Sequence, residues 1–279
     1  MRAVTEPAPS APAATPAGDI LARLESYYDT VPRRLAGVEE HGPLTLFVAR
    51  KGWPYYARPR LGGGSVTAAD VRSVLERQRE LDVPRALEWV HQTTPSLLGA
   101  AREAGMPVQE CPLLVLDGEP VLHLSDGQIR VVPADDPELG LVRAAIHVGF
   151  ATHGTAVGTA SVAERDAALA AHPEAAARTS AMVEAGLSVL VGAFDPAVGA
   201  VGGGSHNPRG DTSEVVGVAV LPAFRRRGVA RAVTATLARD ARAAGVSTVF
   251  CSAQDEAVAR VYLSVGFRRV GTACIAELD

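Results

Sequence analysis

The stretch VVGVAVLPAFRRRGVARAV, Val215 to Val233, constrains the fold of this chain more than any other. A valine-rich apolar run enters a proline turn, meets three arginines, a glycine and a small residue, and continues with helical spacing. That order reads as strand, turn and helix start. Glycine at position 228 lets a phosphate come close to backbone N–H groups, an approach that a Cβ there would hinder. Free amides from about Arg226 to Arg231, the positive end of the helix dipole and the arginine side chains together form an anion cradle. By itself the segment indicates a phosphate-bearing ligand at a strand-to-helix turn.

The rest of the chain gives a mixed α/β pattern. Met1 to Gly18, rich in proline and alanine, lacks the apolar run of a secretory signal and reads as a disordered tail. Helices are expected over Asp19 to Tyr28, from Thr67 to about Leu81 and over Thr94 to Ala104. Strands are expected over Pro43 to Arg50, Tyr55 to Arg58, Arg85 to Val90 and Val108 to Leu116. Asp126-Gly127 has the chemistry of a two-residue hairpin turn between Val121–Leu124 and Ile129–Val132, and the domain boundary is set there. Asp136 is expected to cap one helix, and Ser161 another that runs towards Ala185. Leu187 to Phe194, Ala197 to Val201 and Val215 to Val220 read as strands, the last two separated by a loop GGGSHNPRGDTS. A helix over Val229–Ala244, a strand over Val246–Cys251, a helix over Asp255–Val265 and a strand over Arg268–Leu278 complete the pattern.

The spacing R-x-x-G-x-A (Arg225, Gly228, Ala230), preceded by V-x-V-x-P, resembles motif A of the GNAT acetyltransferases. The segment DEAVARVYLSVGF, Asp255 to Phe267, is similar to their motif B. Both occur in the family's order, and the resemblance covers roughly residues 128 to 279. It implies an acyl-coenzyme A binding N-acyltransferase fold in the C-terminal half, with acetyl-CoA as cosubstrate and a small-molecule or peptide amine as acceptor. Carried over by position, Val218, Ala219 and Val220 offer backbone to the pantetheine arm, while Arg225, Arg226, Arg227, Gly228, Val229, Ala230 and Arg231 surround the pyrophosphate. Tyr262 stands where the family places the acid that protonates the departing thiolate. Asp255 occupies a cofactor position where asparagine is commoner. Glu214 resembles the base that some members use on the acceptor amine.

Each of these residues also has a plain structural explanation. The arginines could be a solvated run, Tyr262 shares a helix face with Val258 and Val265, and Glu214 could be a polar strand end. His206 is expected to be exposed on its glycine-rich loop, and His153 to lie near acceptor-binding surface. The alternative to an enzyme is a non-catalytic acyl-CoA binding or regulatory module.

Residues 19–125 echo the same element order faintly, which suggests a degenerate GNAT-like or unrelated accessory α/β domain beside a C-terminal domain over residues 126–279. Its aromatics Trp53, Tyr55, Tyr56 and Trp89 are assigned to packing. The length of 279 residues and 47% hydrophobic content supply two cores. With 27 basic against 31 acidic residues, the chain has no broad footprint for nucleic acid. Three scattered cysteines argue against a disulfide framework or a metal site. No apolar run suits a bilayer, so a cytoplasmic protein is expected, monomeric or homodimeric.

Overall fold

The computed structural model describes residues 17–49, 55–122, 128–152 and 154–278. The tail before Ala17, the aromatic Trp53, the Asp126-Gly127 turn and His153 lie outside the described residues. The architecture is mixed α/β, as the sequence implies, and the two halves of the chain share one sheet. In the N-terminal half, helix α1 (Ala17–Arg33) leads to strands β1 (Ala36–His41), β2 (Leu44–Ala49) and β3 (Arg58–Pro59). These three form a small sheet of their own. Helix α2 (Ala68–Glu80), capped by Thr67 with Asp70 closing a capping box, packs Val71, Val74 and Leu75 into the core. Strand β4 (Arg85–Val90), helix α3 (Ser96–Glu103) and strand β5 (Val108–Leu116) follow.

The C-terminal half begins with β6 (Gln128–Val132) and helices α4 (Leu139–Ala151), α5 (Val162–Ala171) and α6 (Pro173–Glu184). The single helix expected from Ser161 to Ala185 is thus two. Pro173, whose ring fixes φ and excludes the preceding residue from helical backbone, starts the second. Strands β7 (Val189–Asp195), β8 (Gly199–Arg209) and β9 (Thr212–Val220) form a meander, then α7 (Val229–Ala243), β10 (Thr248–Ser252), α8 (Glu256–Leu263) and β11 (Phe267–Leu278) complete the chain. The large sheet has the order β4-β11-β5-β10-β9-β8-β7-β6. β6 pairs with β7, and Val121–Leu122 are not in a strand, so the expected hairpin there is replaced by this antiparallel pairing. The last strand lies between two strands of the N-terminal half.

GGGSHNPRGDTS is no loop. Gly202 to Arg209 belong to β8, which turns at Gly210-Asp211 into β9. The glycines are there because helices press on both faces of the strand. A Cβ on Gly203 would meet Val142 of α4 at 2.8 Å, and one on Gly204 would meet Leu237 of α7 at 3.1 Å. Neighbouring residues of a strand point to opposite faces, so α4 and α7 sandwich the sheet. His206, expected in solvent, is fully buried on the α7 face, sharing hydrogen bonds with Ser213 Oγ (2.9 Å) and Asp240 Oδ1 (3.0 Å).

Candidate active site

Strands β9 and β10 are parallel neighbours only from Thr212–Thr248 to Glu214–Phe250. Beyond that register they separate. Gly217, at φ 68°, sits in a bulge where β9 carries one residue more than β8 between Ser205–Val216 and Gly203–Ala219. The bulge bends β9 away and leaves the β10-facing backbone of Val215–Val220 without a strand partner. A cleft of about 460 Å³ fills the gap, and its wall includes Glu214, Val218, Ala219, Val220, Ser252 and Tyr262.

One end of the cleft is the turn into α7. After the short 3₁₀ turn Pro222–Phe224, Arg226 has φ 67° and Gly228 φ 79°, flanking Arg227. Alternating handedness of this kind turns successive N–H groups to one side and makes an anion-binding concavity. The amides of Arg226, Arg227 and Gly228 have no hydrogen-bond acceptor among the described residues, and those of the first turn of α7 have none within the helix. Arg226, Gly228, Val229, Ala230 and Arg231 line the cleft. Gly228 is therefore also required by its backbone, because a Cβ is strained at that φ.

The arginines divide by role. Arg225 lines the cleft, but its guanidinium is engaged by backbone carbonyls. Its guanidinium donates to the carbonyls of Gly149 and Thr152, both at 2.7 Å, and to those of Ala156 (3.2 Å) and Val220 (3.3 Å). It fastens the C-terminus of α4 to the end of β9, where a cation also suits the helix dipole. Arg227 lies over the Phe224 ring at 4.9 Å, outside the main cleft. Arg226 and Arg231 remain as exposed cationic walls. The carboxylate of Asp255 is occupied as the cap of α8, accepting from Val258 N–H at 2.8 Å. Its neighbour Gln254 lines the cleft in its place.

Tyr262, on α8, is buried within the core and packs against Phe267 at 5.8 Å between ring centroids. It also lines the cleft, and its hydroxyl has no partner among the described residues. Burial, with the neighbouring Cys251 and Glu214, raises its pKa, so the phenol stays protonated. Glu214 is half-buried on the opposite face of the sheet: it neighbours Val215, the register partner of the α7-facing His206. Burial raises its pKa first and the charge of Glu88 next, against the Tyr28 hydrogen bond and Arg58, leaving it at about 8.

Sequence reasoning missed several parts of the wall. Phe150 and Thr152 at the end of α4, and Thr155 just beyond it, line the cleft. Their signal is Gly149, where a Cβ would lie 2.9 Å from both Ala219 Cβ and the Val220 carbonyl. The N-terminal half also reaches the site, since Tyr28 Oη donates to Glu214 Oε1 at 3.1 Å.

Fold and cleft together define an α/β protein with a splayed sheet and an amide-lined anion cradle at its edge. The family profile described as "Acetyltransferase (GNAT) family" matches residues 135–267, and the chain carries a GNAT acetyltransferase domain there. No curated protein matches the chain. Among solved structures it is similar to a GCN5-related N-acetyltransferase from Kribbella flavida, with 21% identity, TM-score 0.69, and 93% of this chain and 96% of that one covered. A GCN5-related N-acetyltransferase from Sphaerobacter thermophilus aligns with 16% identity and TM-score 0.56 over 94% and 90% of the two chains. A tandem GNAT protein from the clavulanic acid biosynthesis pathway does so with 14% identity and TM-score 0.51 over 84% and 78%. Family and fold point to acyl transfer.

Proposed function

We propose that this chain is an N-acetyltransferase that moves an acetyl group from acetyl-CoA directly to an amine. The observation that carries the reading is the parting of β9 from β10, with a half-buried carboxyl on one face and a free phenol on the other. An amine and a thioester can then meet through the sheet from opposite sides. The residues present suit an extended, anionic donor. The amides of Arg226–Gly228 and the first turn of α7, with Arg226 and Arg231, hold the diphosphate, and the open backbone of Val218–Val220 pairs with the amide-bearing arm as a strand would.

An alkylamine of pKa about 10 is protonated at neutral pH and must lose a proton before it attacks. Glu214, with a pKa of about 8, is poised to take it. Leu221 donates its N–H to the Val201 carbonyl at 2.8 Å, so the preceding Val220 N–H faces away from β8 and towards the cleft. That amide stabilises the charge developing on the acyl oxygen. Tyr262 gives its proton to the sulfur as the C–S bond breaks. A phenol of raised pKa does this where the donor, filling the cleft, is itself desolvated and its thiol raised as well.

A panel of amine acceptors, assayed by free-thiol release from acetyl-CoA with Tyr262→Phe as control, tests the reading. Tight binding of acetyl-CoA without acceptor-dependent release for any amine would leave a non-catalytic acyl-CoA module instead.

A further inference from the structure

We propose that Tyr28 is a positioning residue that fixes the orientation and proton affinity of Glu214, and that the Arg58–Glu88 pair locks Tyr28 in place. The inference rests on Glu214 as the proton acceptor and extends the reactive site into the N-terminal half. Tyr28 comes from α1, Arg58 from β3 and Glu88 from β4, whereas Glu214 lies on β9. Their geometry is a chain of direct contacts. Tyr28 Oη donates to Glu214 Oε1 at 3.1 Å, Arg58 Cζ lies 3.9 Å from the centre of the Tyr28 ring, and Arg58 Nη1 meets Glu88 Oε2 at 2.7 Å.

The ring cannot swing away. Edge-to-face contacts with Tyr27 (5.9 Å) and Phe250 (5.3 Å) hold its sides while the guanidinium covers one face. Arg58 itself is an expensive choice for packing. It is 6% exposed, and its Nε and Nη2 have no hydrogen-bond partner among the described residues. Unsatisfied donors on a buried cation oppose folding, and an apolar side chain of similar volume avoids that penalty. What the cation supplies is polarisation of the phenol O–H towards the carboxylate, together with partial neutralisation of the two glutamates.

The groups that face Glu214 act with opposite signs. Tyr28 and Arg58 favour its charged form, and Glu88 opposes it. Tyr27 on α1, Cys251 on β10 and Tyr262 on α8 sense its charge and are held neutral by burial and by that charge. Loss of the Tyr28 hydroxyl therefore raises the Glu214 midpoint, and neutralising Glu88 lowers it. A merely structural disturbance has no reason to produce shifts of opposite sign.

The test is a carboxyl titration by isotope-edited infrared spectroscopy on the full chain, with the Glu214 band identified by its loss in E214Q. Y28F is expected to move the midpoint up by about one pH unit, the equivalent of one hydrogen bond to a charged group. E88Q should move it down, with the acid limb of kcat/KM following in both variants. A Glu214 midpoint unmoved in Y28F overturns the proposal. Should Y28F not fold, an unmoved midpoint in E88Q does so. Midpoints that shift as expected while the acid limb stays fixed would uphold the Tyr28 contact and remove Glu214 as the base, which separates the two readings.

Discussion

A carboxyl with a pKa of about 8 has consequences for both activity and stability. As base, Glu214 must be ionised, so kcat/KM should rise with pH through about 8, and Glu214→Gln should abolish that limb, shifting activity towards pH values where the amine is already free. Stability runs the other way. The folded carboxyl binds its proton more tightly than the unfolded one, whose pKa is near 4.3. Its contribution is fully present below that value and is lost as pH rises through about 8. Urea unfolding across this window should show a stability loss that Glu214→Gln lacks. At the acid end, Tyr262→Phe should leave acetyl-CoA affinity in place and lower kcat on the order of 10²-fold to 10⁴-fold, measured by steady-state kinetics beside calorimetry. Unchanged turnover would assign Tyr262 to the core, where it does pack. The arginines separate in the same experiments. Arg225→Ala, which removes donors from carbonyls of the α4 end and β9, should lower stability by about 2 kcal/mol in thermal melts. Arg226→Glu should leave the melt unchanged and weaken acetyl-CoA binding at least tenfold.

The elements that the sequence displayed best are those whose pattern is local. The α7 helix, α8 and the strand between them were readable from apolar spacing and terminal glycines, and Thr67 was readable as a cap. β8 was not, because Gly202–Gly204 have turn chemistry while the reason for them is tertiary: close approach of α4, α7 and neighbouring strands. The same blindness hid the inward role of Arg225. A sequence shows an arginine beside a phosphate loop, not the carbonyls 69 to 76 residues away that claim it. Gly203→Ala tests this view of β8. Its Cβ would lie 2.5 Å from the Val191 carbonyl and 2.8 Å from Val142, so the helix or the strand must move. Differential scanning calorimetry should show destabilisation of about 1–3 kcal/mol, and a neutral result would return the tract to simple turn preference.

At the scale of the whole molecule, the division at residue 126 remains a proposal about how the sequence is organised, and one continuous sheet crosses it. Tyr28, Arg58 and Glu88 could not be linked to Glu214 from sequence, because only that sheet and α1 bring such distant residues together. One chain should bind one acetyl-CoA by titration, since among the described residues only the β9–α7 turn combines open amides, arginines and an adjoining cleft. A fragment of residues 126–279 should fail to fold, judged by the loss of a cooperative melt, because β11 would lose β4 and β5, its two partners. That threading also sets a timetable. Arg85–Val90 emerge early during synthesis, yet their partners are residues 273–278. Until the far end of this region clears the ribosome, the apolar edges of β4 and β5 stand unpaired, an exposure that favours chaperone engagement and slow, late closure of the sheet. Newly made protein should therefore gain protease resistance in one step once residues 273–278 have left the ribosome, with no resistant N-terminal piece beforehand.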